Sequence, residues 1–219
     1  MNMNLNLSAS LNIFKLLTKP SLCLPHATVA TFSDLPVPMD KAFAREKGHP
    51  AATSIKAIVL DKDDCFAYPE ASEIYDAYKT RFEALRAAYP GRRLLIVSNT
   101  AGARSYDVDG KLALEVEKTT GVAVLSHQVK KPGCGDEIMR YFQKHPETGV
   151  TSPRDIAVVG DRLATDMMLA NMMGSWGIWV KDGVVPLQQK SIFSRIERKL
   201  GPYLMSRGFA APQPASPFE

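Results

Sequence analysis

Short apolar runs recur between residues 55 and 180, separated by polar segments with helical spacing. Ile55–Leu60 is wholly apolar apart from Lys56 and predicts a buried strand. Ser72–Ala88 puts Ile74, Tyr78, Phe82 and Leu85 on one helical face, and Pro90 and Gly91 stop it. Leu94–Val97 predicts a second strand, residues 101–111 a loop, Leu112–Thr120 a helix closed by Gly121, and Val122–Leu125 a third strand. Cys134–His145 predicts a helix entered through Pro132 and Gly133, and Ile156–Val159 a fourth strand. Leu163–Met173, ended by Gly174, predicts another helix, and Trp176–Val180 a fifth strand. Strands alternating with helices predict an α/β, Rossmann-like, mostly parallel sheet with helices on both faces. The intervals between elements leave no room for a large cap domain.

The flanks follow other patterns. Pro20, Pro25, Pro36 and Pro38 break up the stretch from Lys19 to about residue 50, so residues 1–50 are read as an N-terminal arm. Ser8 is placed to cap a short helix carrying Leu11, Phe14 and Leu17. Such a segment fits a membrane interface, a targeting signal or an arm docked on the domain, although it has none of the arginines usual in an organelle presequence. Residues 51–206 form the main domain, and residues 207–219 a flexible tail. At the end of the main domain Ile192, Ile196, Leu200 and Tyr203 line one stripe of a C-terminal helix, with Lys190, Arg195, Arg198, Lys199 and Arg207 around or just beyond it. That stripe fits either a cover for the sheet or a surface for an anionic bilayer.

Composition narrows the choice only a little. A 219-residue chain with 45% hydrophobic residues supports one sizeable core. A net charge of +4 fits an acidic partner such as a phosphate ester or anionic lipid without requiring one, and nothing points to nucleic acid. Three scattered cysteines, Cys23, Cys65 and Cys134, form neither a disulfide framework nor a zinc spacing. No run of about 18 apolar residues is present to span a bilayer as a helix.

Chemistry is expected beyond the carboxyl ends of the strands. The first strand is followed by Asp61, Asp63 and Asp64, the second by Ser98, Asn99 and Thr100. The third leads to Lys130 and Lys131, the fourth to Asp161 and then Asp166. Crowded carboxylates need a positive partner, and Asp61, Asp63 and Asp161 offer oxygen ligands for a hard divalent ion such as Mg²⁺. In extended backbone, Asp61 and Asp63 point to one side. The first then suits nucleophilic attack on phosphorus, the second proton transfer to and from oxygen. Cys134–Arg140 also fits a C-x5-R phosphate loop, but Asp136 and Glu137 oppose a dianion there. The four histidines show no ligand spacing, and Trp176 and Trp179 read as packing residues.

The ordered motifs "DKD", "SNT", Lys131–Pro132 and "GDRLATD" resemble the haloacid-dehalogenase-like phosphatases. That resemblance implies Asp61 as nucleophile, Asp63 as general acid/base, and Ser98, Asn99 and Lys131 around the phosphate. It implies Mg²⁺ held by Asp61, the Asp63 carbonyl and Asp161, with Asp166 orienting or joining the set. Cys65 stands where the family has Thr or Val, and Lys130 competes with Lys131, which the following proline favours. The lack of a cap suits a bulky substrate, and Arg104 and Lys111 of the 101–111 loop are candidates for a second phosphate. Adding "LNIFKLLTKPSLCLPHATV", "VLDKDDCFAYP", "IVSNTAG", "HQVKKPGC" and "VVGDRLATD", the chain is similar to the fungal mitochondrial phosphatidylglycerophosphate phosphatases. What this implies is a Mg²⁺-dependent phosphatase of a phospholipid substrate in the cardiolipin pathway, peripheral on the matrix side of the inner mitochondrial membrane. Related forms often carry Asn at the position of Asp64. A soluble phosphatase of a sugar phosphate, nucleotide or phosphoprotein would use the same residues, and a receiver-like Mg²⁺-binding domain without turnover would need only some of them. Oligomeric state is left open.

Overall fold

The computed structural model describes residues 18–43 and 54–214, so the expected helix around Ser8–Leu17 lies outside the described residues. Strands β1 (Ala27–Val29), β2 (Ala57–Leu60), β3 (Leu94–Ile96), β4 (Ala123–Val124), β5 (Ile156–Gly160) and β6 (Trp176–Val180) form one sheet in the order β1-β6-β5-β2-β3-β4. All its pairings are parallel. Central strands of a parallel sheet are covered on both faces, and β2 and β5 are accordingly buried at every residue.

The helices are α1 (Lys79–Ala88), α2 (Lys111–Thr120), α3 (Gly135–Gln143), α4 (Met168–Met173) and α5 (Ile192–Ser206). Alternation along the strands sends Ile58, Leu60, Leu94 and Ile96 to one face, where Phe82 and Leu85 of α1 and Val116 of α2 cover them. Ala57, Val59, Leu95 and Val97 face the other way, onto Ile138 and Phe142 of α3 and Leu169 of α4. A third cluster joins α5 to the domain through Leu204, Trp179, Leu163 and Met167, with Cys23 and Leu24 from the N-terminal segment.

Three expectations change. The stretch read as an extended arm is part of the fold from Pro20 to Ala42. Ala27–Val29 adds a sixth strand beside β6, and Leu24, Phe32, Leu35 and Met39 are fully buried. The helix expected from Ser72 begins at Lys79, because Tyr75 N–H is drawn back to the Phe66 carbonyl at 2.9 Å. The helix expected from Leu163 opens as a wider π-helical turn over Leu163–Met167 before α4. Such turns redirect a side chain, and here the redirected one is Asp166.

Strand order places the site. From β2 the chain moves outward through β3 and β4, then returns to the other side of β2 as β5. The crevice at this reversal opens between the ends of β2 and β5, where Asp61 and Asp161 follow.

Candidate active site

Asp61 extends β2 by one residue, its N–H donating to the Val159 carbonyl at 2.8 Å. Its carboxylate thereby faces Asp161, the residue after β5. Asp166 reaches the same point from the π-helical turn, and one carboxylate oxygen from each of the three lies within 4.8 Å of the others. Gly160 permits this approach, because a Cβ built there would collide with the Asp166 carboxyl group.

Lys131 is the local countercharge. Its Nζ donates to Asp61 Oδ1 at 2.6 Å and to Asp166 Oδ1 at 2.7 Å. Burial alone would lower the Lys131 pKa, but Asp166 and Asp61 more than reverse this and keep it cationic. Burial still pushes the Asp61 carboxyl up to about 7, with Asp166 adding repulsion and Lys131 opposing it. Asp161 is raised well above the ordinary carboxylate range by burial, then by Asp61 and Asp166. Its Oδ1 is buried without a hydrogen-bond partner, while its backbone carbonyl accepts from Trp179 Nε1 at 2.8 Å. One lysine does not balance three such carboxylates, so the donor set fits a hard, oxygen-preferring divalent ion.

Asp63 lines the same cleft, but its carboxylate stands outside the three-carboxylate group. The expected shared direction of Asp61 and Asp63 holds only for the cleft. Asp63 Oδ2 accepts from Ser98 Oγ at 3.0 Å and Thr100 Oγ1 at 2.5 Å. Oδ1 accepts from Lys62 Nζ at 2.5 Å and the Glu70 N–H at 3.0 Å. Burial would raise the Asp63 carboxyl, yet Lys62, Thr100 and Glu70 together hold it below its ordinary value.

The remaining expected residues divide. Ser98 is buried at the end of β3, with its hydroxyl on Asp63 and Thr100. Asn99 lines the cleft and braces Lys131 by accepting its N–H through Oδ1 at 2.7 Å. Lys130 instead lies over the exposed Tyr106 ring, and of the two lysines it is Lys131 that lines the cleft. Arg104 and Lys111 do not line the cleft, and Lys111 pairs with Asp109 at the surface. Tyr106 is the residue of that loop that reaches the cleft. The Cys134 thiol is buried and pushed up to about 12 by that burial, the opposite of a phosphatase thiolate.

Two contributors carried no functional expectation from sequence. Lys62 is wholly buried, bonding the Ala71 carbonyl as well as Asp63. Asp64, with left-handed backbone at φ 61°, is a clasp to a distant segment. Its Oδ1 accepts from the Val184 and Val185 N–H groups at 2.9 and 2.6 Å, and Oδ2 pairs with Lys190. Lys190 and Arg198, the latter paired with Asp182, are thus engaged within the protein.

The cleft has a volume of about 450 Å³, with the carboxylates on its floor and Ser191 and Ser194 of the α5 start on one wall. It is lined from the ends of β2, β3 and β5, with no inserted domain over it among the described residues.

Comparison with known proteins adds chemistry to this geometry. The family model for mitochondrial PGP phosphatase matches residues 7–185. The Saccharomyces cerevisiae mitochondrial phosphatidylglycerophosphatase GEP4 is 45% identical over 200 residues, covering 91% of this chain and 99% of that protein. A probable mitochondrial phosphatidylglycerophosphatase of Schizosaccharomyces pombe is 34% identical over 165 residues, 75% of this chain and 77% of its own. A chloroplastic/mitochondrial phosphatidylglycerophosphate phosphatase of Arabidopsis thaliana is 32% identical over 152 residues, 69% of this chain and 38% of its own. No solved structure matches the chain.

Proposed function

The chain belongs to the mitochondrial PGP phosphatase family, and from that premise we propose that it removes the terminal phosphate of phosphatidylglycerophosphate, yielding phosphatidylglycerol. We place this step in the cardiolipin pathway, on the matrix side of the inner mitochondrial membrane, with the protein bound peripherally. No helix among the described residues is long and apolar enough to cross a membrane, which agrees with peripheral contact. The observation that carries the reading is Asp61, buried on the floor of an uncapped cleft, held by Lys131 at 2.6 Å and faced by two further carboxylates.

Asp61 attacks phosphorus in line: its oxygen–phosphorus bond forms as the bond from phosphorus to the glycerol oxygen breaks. Asp63, ionised at rest, takes the proton carried in by the substrate's phosphate monoanion and delivers it to the departing oxygen. It then removes a proton from water, which attacks the aspartyl-phosphate, releases inorganic phosphate and restores Asp61. Lys131 neutralises charge on the transferring group from the Asp61 side. Ser98, rotating its hydroxyl from Asp63 to a phosphoryl oxygen, removes one donor from that carboxylate and eases its uptake of a proton as the phosphate binds. Asn99 keeps Lys131 in register through its backbone. Asp61, Asp161 and Asp166, with the Asp63 carbonyl, would hold Mg²⁺, which when bound supplies charge compensation to carboxylates and phosphate together. Positioning and electrostatics must lower the barrier by on the order of 20 kcal/mol.

The test is phosphate release from phosphatidylglycerophosphate in vesicles and from soluble sugar, nucleotide and protein phosphoesters, with Mg²⁺ or with EDTA. Lipid turnover that requires Mg²⁺ and drops at least about 10⁴-fold in Asp61→Asn is the expected result. Preference for a soluble ester would transfer the site to another substrate, and unchanged turnover in Asp61→Asn would reject the mechanism.

A further inference from the structure

α5 has two faces. Gly201 and Leu204 turn inward, Gly201 lying close to Leu163 and Trp179. On the outer side Ile192 is 65% exposed, Phe193 72%, Ile196 54% and Tyr203 58%. Ile192, Ile196 and Tyr203 recur at helical spacing and share one stripe. The exposed cations Arg195, Lys199 and Arg207 border that stripe and have no ion-pair partner among the described residues. A large apolar patch bordered by cations is costly to leave in water and fits a surface that is both apolar and anionic.

Position tells more than composition. Ser191 and Ser194, at the start of the same helix, line the catalytic cleft. Across the mouth Tyr106 also lines it, and Val108, two residues on, is 83% exposed. Apolar side chains therefore flank the opening from both sides. The α5 segment is fastened to both loops that carry the carboxylates. Lys190 pairs with Asp64 beyond β2, and Glu197 accepts from Arg162 beyond β5 at 2.8 and 3.3 Å.

We propose that the outer face of α5, with Tyr106 and Val108 opposite, is the surface on which the protein rests against an anionic lipid bilayer, holding the cleft mouth at the headgroup plane. This deepens and rests on the phospholipid reading above, since a phosphate anchored in a bilayer reaches Asp61 only if the mouth lies against that bilayer. A second copy of the chain or the N-terminal segment would cover the apolar stripe, but neither accounts for the cations that border it without an ion-pair partner among the described residues. The two ion-pair clasps keep the docking face and the carboxylate loops in fixed relation.

The experiment uses the full chain and a variant with Ile192→Asp, Phe193→Asp and Ile196→Asp, all exposed and outside the catalytic machinery. Sedimentation with vesicles of phosphatidylcholine mixed with phosphatidylglycerol is expected to show a fall of about tenfold or more in bound protein. Phosphate release from phosphatidylglycerophosphate in those vesicles falls with it, while release from p-nitrophenyl phosphate and the Tm stay at wild-type values. A second variant, Arg195→Gln with Lys199→Gln, loses binding to the mixed vesicles about threefold or more and leaves weak binding to pure phosphatidylcholine unchanged. Wild-type vesicle binding by the first variant overturns the proposal. So does a changed solution mass with binding intact, which assigns the stripe to a second copy, or a lowered Tm with binding intact, which assigns it to contact within the chain. Failure of the wild type to hydrolyse the lipid while α5-dependent binding persists would reject the substrate and leave the docking face standing.

Discussion

Asp63 and Asp161 follow neighbouring strands of one sheet and line one cleft, yet their surroundings are opposite. Asp63 accepts hydrogen bonds from Lys62, Glu70, Ser98 and Thr100 and is held ionised. Asp161 has a buried oxygen with no partner and two carboxylate neighbours that raise its pKa. The protein completes the first environment itself. It leaves the second incomplete, and under the proposed mechanism that difference assigns proton transfer to Asp63 and cation binding to Asp161.

The largest break in this contrast comes from Asp63→Asn, which keeps the shape and removes the group that takes up and passes on the proton. Turnover of esters with a poor alkyl leaving group is expected to fall about 10²–10⁴-fold, and of an activated aryl ester less than about tenfold. Equal losses on both esters would remove Asp63 from leaving-group protonation. Lys62→Met tests the support of the same carboxylate. Losing that buried cation is expected to slow the alkyl ester by about tenfold while sparing the aryl ester. Indifference of both esters would make Lys62 a packing residue.

On the other side of the contrast, Gly160→Ala forces the Asp166 carboxyl away from its place next to β5. The Mg²⁺ concentration for half-maximal activity should rise about tenfold, as for other displaced supporting groups. Thermal unfolding should show a cost of about 1–3 kcal/mol. A variant with unchanged Mg²⁺ dependence would show that Asp166 is not needed at the ion.

The smallest effect concerns the ion-free protein and pH. A carboxyl whose pKa is raised by folding favours the fold while protonated, and that contribution is lost as pH rises through the raised value. For Asp61 the window runs from 3.8 to about 7, and Asp161 shifts in the same direction. Without divalent ions, stability should therefore decline from pH 4 towards neutrality. Asp161→Asn should flatten the decline, exceeding the wild type by about 1–3 kcal/mol at neutral pH and matching it near pH 4. Parallel stability curves for the two proteins would contradict the electrostatic reading.

Much of this was legible because parallel strands are apolar throughout and place their chemistry at one end. "AIVL" before Asp61 and "IAVVG" before Asp161 mark β2 and β5 without ambiguity. What stayed hidden depends on distant partners. Ala27–Val29 is too short, and too near prolines, for alternation to show, and only β6 makes it a strand. Lys62, between two aspartates, looks solvated until the Ala71 carbonyl closes over it. Asp64 finds its partners at Val184, Val185 and Lys190, far along the chain, so no local pattern could reveal the clasp. The stripe on α5 was readable as spacing. Which of its members face outward was not: Leu200 packs towards the core, while Lys190 and Arg198 are spent on internal pairs.

The most direct test of the central claim is a calorimetric titration of Mg²⁺ into the ion-free wild type and Asp161→Asn, followed by thermal unfolding of each with and without the ion. The wild type should bind Mg²⁺ and gain about 2.7 kcal/mol at a hundredfold excess over Kd, while the variant, more stable without the ion, gains almost nothing. A wild type that takes up no Mg²⁺, or an Asp161→Asn protein that binds it equally well, would contradict the account.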